Sequence, residues 1–157
     1  MKEKIICWLK EEKLQPKEIA DPNAYFNISI TVGGLLLHVI QRTDQIDSIT
    51  VGANLVFTEE QLKLLKDMDE KKRQEFFWEL RLALLKNNEL GYFQIKPNPP
   101  HDIREVFISS RRLYYDGLTK DRLMTTIFTI HKAIFMVIWM LEQKVEIKPK
   151  NERIGYH

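Results

Sequence analysis

The chain has 157 residues, of which 44% are hydrophobic and 29% charged, enough for one domain with a substantial core. Lys and Arg number 24 against 22 Asp and Glu, a net +2 that excludes a strong general pull on nucleic acid or anionic membranes. A single cysteine, Cys7, rules out an intramolecular disulfide and a cysteine-based metal cluster, and fits a reducing cytoplasm.

Residues 2 to 14 read as a short amphipathic helix with Ile5, Trp8 and Leu9 on one face and Ile6 at its edge, ended by Pro16. The opening apolar patch is far too short for a signal peptide. Asp21-Pro22-Asn23 is turn chemistry. Phe26, Ile28, Ile30 and Val32 then alternate with Asn27, Ser29 and Thr31, which predicts a strand with one buried face. Gly33-Gly34 tolerates positive φ at both positions and predicts a tight hairpin into a second strand, Leu35 to Arg42, central in the sheet. Thr43-Asp44-Gln45 turns the chain into a third strand from Ile46 to Phe57, with Gly52 as a candidate bulge. Three strands with short links make an antiparallel meander.

Thr58-Glu59-Glu60-Gln61 has the spacing of a capping box. Residues 58 to 87 read as one kinked helix or as two, with Asp69 able to cap the second stretch. Asn87-Asn88 and Gly91 suit its stop. Tyr92 to Lys96 predicts a short strand, Pro97 to Pro100 a stiff loop, and Ile103 to Ile108 a fifth strand. That strand continues to Tyr115 or bends at Ser109-Ser110. Asp116-Gly117 then turns the chain into a long helix from Thr119 to Lys144.

In that helix Leu123, Ile127, Ile130, Ile134, Ile138 and Leu141 recur at the period of one face, Thr119 can cap the start, and Asp121 sits where the helix dipole favours negative charge. Every residue from Ala133 to Leu141 is apolar, a run about half of what a membrane span needs. One side can pack on a sheet. The opposite side, with Phe135, Met136, Trp139 and Met140, needs a cover, either the rest of the core or a second subunit. Residues 145 to 157 read as a polar, basic tail after a single domain spanning 1 to 144.

The expected fold is α+β: an antiparallel sheet of about five strands in the order α-β-β-β-α-β-β-α, with the long last helix packed on it. That order resembles the type III secretion chaperone-like fold, and within it an uncharacterised, mainly archaeal family. The resemblance is carried by the opening helix, the VGGLLL hairpin at Val32 to Leu37, the TEEQ helix start and the YYDGLTKDRLM lead-in to the last helix. It implies a homodimer with a protein-binding role, and it transfers no functional residue.

No catalytic, cofactor or metal motif stands out. His38, His101, His131 and His157 lack metal-ligand spacing, and His131 fits a half-buried helix histidine. His101-Asp102 reads as turn chemistry before it reads as a proton-transfer pair. Cys7 has no neighbouring base and is expected to pack. Arg111-Arg112 beside Tyr114-Tyr115 mixes cations with aromatics, a candidate polyanion contact, although the same letters suit a sheet edge. The leading expectation is therefore a non-enzymatic, cytoplasmic, homodimeric protein- or peptide-binding module, with nucleic-acid binding second and no membrane association.

Overall fold

The computed structural model describes residues 1–97 and 103–144. The Asn98–Pro100 loop, His101-Asp102 and the tail with His157 lie outside the described residues. Twelve elements follow in order: α1 (Lys2–Glu11), β1 (Lys17–Ile19), β2 (Ala24–Val32), β3 (Leu35–Arg42), β4 (Ser48–Val56), α2 (Glu59–Asp67), α3 (Glu70–Lys86), β5 (Leu90–Lys96), β6 (Glu105–Ser110), β7 (Leu113–Tyr114), a 3-10 turn (Tyr115–Gly117) and α4 (Lys120–Lys144). The fold is α+β. Its antiparallel sheet runs β1-β2-β3-β4-β6-β5, with β7 paired to the start of β4.

Seven strands form where about five are expected. β1 is three residues long and pairs with β2, Lys17 opposite Ser29, where the Ser29 hydroxyl also donates to the Lys17 carbonyl at 3.2 Å. β6 and β7 are separate strands that pair with opposite ends of β4, and Arg111-Arg112 is the step between them. Gly52 is not a bulge. It sits in register with His38 and Ser109, and a Cβ there would meet the Phe107 ring at 3.6 Å. Bulges fall instead at Ala24/Phe26 and at Leu90/Tyr92. Gly91 is accordingly part of β5 and not the stop of α3. That helix ends at Asn87, whose Oδ1 accepts from the Glu89 amide at 3.1 Å.

Local chemistry explains the other element ends. Gly33 and Gly34 take φ of +54° and +79°, the hairpin geometry expected of the pair. The Thr58–Gln61 capping box is complete, with Gln61 N donating to Thr58 Oγ1 at 3.2 Å and Thr58 N to Gln61 Oε1 at 2.8 Å. Residues 58 to 87 are two helices, parted at Met68-Asp69, where both residues leave helical ψ. Thr119 Oγ1 accepts from Arg122 N at 3.1 Å and starts α4.

The core lies between one sheet face and the helices. Ile28 opposes Val39, Val39 opposes Val51, and Ala53 opposes Ile108, so one apolar surface crosses four strands. On it sit Leu123, Ile127, Ile130, Ile134 and Leu141 of α4, all buried. Ile138, expected on that face, is half-buried, and Val137 takes its place in the core. Phe76, Leu80 and Leu84 of α3 and Ile5 and Leu9 of α1 complete it. Each such fully buried side chain contributes roughly 1.5–3 kcal/mol. Among the described residues α4 alone has the length and composition to cross a membrane, but here it is the helix packed on the sheet.

Tertiary ties at its start and middle help to fix α4, besides the Lys144–Glu79 ion pair at its end. Lys120 Nζ meets Glu11 at 2.8 Å and Glu12 at 2.7 Å, joining the end of α1 to the start of α4 and pushing the lysine pKa up to about 12. Midway along, the His131 ring lies against the Gly33 turn so closely that a Cβ at Gly33 would come within 2.8 Å of Nε2. His131 is thus half-buried, as its helix position implies.

Candidate functional site

Two surfaces carry chemistry that the core does not consume. The first is the outward line of α4. Phe128, Phe135 and Trp139 are 47%, 58% and 54% exposed, with Lys132 exposed among them. Met136 and Met140 are half-buried on the flank, packed against the core. The four residues grouped on sequence therefore divide in two: Phe135 and Trp139 face outward, while the methionines are their partly covered shoulder. Phe128, seven residues before Phe135, extends the line. Its heptad spacing to Phe135 was the signal in the sequence.

The spacing along this line is symmetric, with steps of four, three and four from Phe128 through Lys132 and Phe135 to Trp139. At 3.6 residues per turn these four side chains stay within a narrow stripe about 16 Å long.

The second surface is a groove of about 1090 Å³. It is built where β4 and β6 part company, at Ser110, whose hydroxyl accepts from Val51 N at 3.0 Å and donates to the Arg111 carbonyl at 2.8 Å. The outer sheet face supplies Tyr92, Phe107, Ile40 and Thr50. Arg111, Arg112 and Tyr114 come from the step into β7, Arg42 from β3, and Arg122, Thr125 and Thr129 from α4. Tyr92 and Phe107 make a tilted ring contact at 6.2 Å between centroids. Four arginines thus face two carboxylates, Asp21 and Glu89.

The partners of these groups differ. Arg42 is held by Asp44, Nε to Oδ1 at 3.0 Å, which lowers the Asp44 carboxyl below its usual range. Arg122 Nη1 donates to the Gly117 carbonyl at 3.2 Å. With the Gln45 amide turned to present its oxygen, Arg112 donates to it from Nη2 at 3.1 Å and Nε at 3.3 Å. Arg111 is exposed, and its guanidinium makes no hydrogen bond or ion pair among the described residues. Tyr115 is set apart from Arg111, Arg112 and Tyr114. It is half-buried, donates its hydroxyl to Gln41, and has its pKa raised by burial and by the nearby Asp47 charge. Arg42, Arg122, Tyr92 and Phe107 join the groove from distant parts of the chain, and no local pattern links them.

The remaining sequence candidates are placed as follows. His38 Nδ1 donates to Asn27 Oδ1 at 2.8 Å, and Asn27 Nδ2 donates to Asp21 Oδ2 at 3.1 Å. Burial lowers the His38 pKa, and the Asp21 charge opposes that. Ser29 stands opposite His38 in the β2–β3 register, and its hydroxyl donates to the Lys17 carbonyl at 3.2 Å. Cys7 is exposed on α1 rather than packed, its thiol 3.5 Å from Glu11 Oε1. Among the described residues no group of three or more His, Cys, Asp or Glu could hold a metal ion.

A family model for uncharacterized conserved proteins, DUF2299, matches residues 1–141. No curated protein matches the chain. The crystal structure of an uncharacterized protein from Methanothermobacter thermautotrophicus superposes with a TM-score of 0.83 at 26% identity, over 91% of this chain and 97% of that one.

Proposed function

We propose a role for this chain, which belongs to the uncharacterized conserved family DUF2299: a non-enzymatic protein-binding module of the cytoplasm that pairs with a second copy of itself through α4. The order of helices and main strands, which resembles that of the type III secretion chaperone-like fold, supports the reading. So does the exposed lone cysteine, which suits a reducing compartment.

The outward aromatic line of α4 carries the proposal. An isologous two-fold contact sets residue i against j and j against i. An antiparallel pair of α4 helices centred between Ala133 and Ile134 sets Phe128 on the partner copy's Trp139 and Lys132 on its Phe135. The same register then satisfies both pairings, because the four-three-four spacing reads alike in either direction. The first contact is aromatic on aromatic, and the second places a cation over a ring. Taking about 150–250 Å² for a whole aromatic side chain, the exposed parts of the three rings leave roughly 350 Å² per chain. That approaches half of the ~800 Å² per partner in a standard interface, and Met136, Ile138 and Met140 flank it.

Sedimentation equilibrium at micromolar concentration tests the pairing. A dimer is expected for the native chain and a monomer for Phe135→Glu. A native chain that sediments as a monomer throughout would overturn the proposal.

A further inference from the structure

We propose that the groove around Arg111 binds single-stranded nucleic acid, a function separate from self-pairing, since neither Arg111 nor Tyr92 lies on the α4 line. The charge argument is local. A chain with a net charge of only +2 places four arginines around one recess against the lining carboxylates Asp21 and Glu89 and the adjacent Asp44, which pairs with Arg42. One of those carboxylates, Asp21, is already bonded to the Asn23 amide at 2.9 Å and to Asn27. Arg111 has no hydrogen-bond or ion-pair partner for its guanidinium among the described residues, and Arg112 hydrogen-bonds a neutral amide while its charge also reaches Asp44. Planar guanidinium groups with unspent donors match phosphate oxygens in pairs.

The second half of the argument is aromatic. Tyr92 and Tyr114 are exposed and Phe107 half-exposed, all lining the same groove as the arginines. Exposed rings beside a cationic track are how proteins hold unpaired bases, because every base offers a π-face. The hydroxyls of Thr50, Thr125 and Thr129 add acceptors and donors for sugar and phosphate. A duplex hides its base faces, whereas a single strand offers a phosphate and a base face at every step and so engages both halves of the site.

Fluorescence anisotropy with a labelled oligouridylate of about fifteen nucleotides, at the upper end of common site sizes, tests this. Phosphate contacts from Arg111, Arg112 and Arg122, with Arg42 held by Asp44, predict a log–log salt slope of about −2.1, falling to about −0.7 in the Arg111→Ala/Arg112→Ala variant. That variant should also lose at least tenfold in affinity, with its circular dichroism unchanged. Tyr92→Ala should cost about tenfold while Tyr92→Phe keeps binding, because the ring and not the hydroxyl stacks. Oligothymidylate separates RNA from general single-strand recognition, and binding to either sustains the proposal. Equal affinity for a duplex or for polyglutamate, indifference to the arginine pair, or no binding at low salt would overturn it.

Discussion

Gly91→Ala should destabilise the protein although the Leu90/Tyr92 bulge does not put Gly91 at a positive φ. An ideal Cβ at Gly91 would lie 2.5 Å from the Ser110 carbonyl oxygen and 2.8 Å from the Arg111 amide nitrogen. Ordinary contact begins at 3.4 Å, so backbone must retreat by about 0.9 Å. The obstructing atoms belong to the β6 end and cannot rotate away as a side-chain tip would. Overpacking of this kind costs about 1–3 kcal/mol. Replacing glycine also restricts the unfolded chain, which returns about 0.4–1 kcal/mol. The net loss is therefore about 1–2 kcal/mol, a fall in Tm of roughly 2–8 °C for a chain of this size. Gly52→Ala is the control: it too lies in a strand, but its Cβ would touch Ile108 O at 3.4 Å and the Phe107 ring at 3.6 Å, within reach of small adjustment. Urea unfolding of both variants gives the comparison. Because Gly91 and Arg111 line the same groove, hydrogen exchange at the Leu90–Tyr92 and Ser109–Arg111 amides should quicken in Gly91→Ala alone. A Gly91→Ala midpoint equal to the native one would refute the steric reasoning, as would a larger loss at Gly52.

Other sites give independent checks. Ser48 is fully buried in β4 and its hydroxyl has no hydrogen-bond partner among the described residues, so Ser48→Ala should stabilise by about 1 kcal/mol in chemical denaturation. Phe76→Ala should cost about 3–5 kcal/mol of folding stability, since the ring is wholly enclosed. Phe135→Ala should leave monomer stability within about 0.5 kcal/mol and weaken self-association instead, a contrast visible by measuring unfolding and sedimentation on the same samples. His38 is held below its usual pKa of 6.5 mainly by burial, so the unfolded chain takes up the proton first. Its contribution is complete above pH 6.5 and declines as pH falls toward the lowered folded value. Urea midpoints measured between pH 7 and 5 should drop less in His38→Gln than in the native chain.

The parts of the fold legible from sequence are those set by neighbours in the chain. The Gly33-Gly34 hairpin, the Thr58 capping box, the strand alternation from Phe26 to Val32 and the long final helix all follow from local spacing. β1 and β7 were not legible, because three residues and two residues are too few to show a period. Their pairing is decided by partners 12 and 66 residues away, Ser29 for Lys17 and Ser48 for Tyr114. Gly91 looked like a helix stop because glycine serves both ends of helices and close backbone approach, and only the position of Ser110 distinguishes the two. The helix face was legible as excess apolar circumference, but the division between Phe135 and Met136 needed the direction of the sheet. Arg111, Arg112 and Tyr114 stood together in sequence. Arg42, Tyr92, Phe107 and Arg122 reach the same groove from four different elements, which no reading of spacing could foresee.

Helix α4 contributes to both surfaces at once. Arg122, Thr125 and Thr129 turn toward the groove roughly a quarter of the circumference away from the Phe128–Trp139 line. In an antiparallel pair the two recesses would open near opposite ends of the joined helices, each about 15 Å from the dyad and so about 30 Å apart. Such an assembly is bivalent. A polymer long enough to bridge both mouths would gain avidity from effective concentration alone, and tightening should set in abruptly at a threshold length.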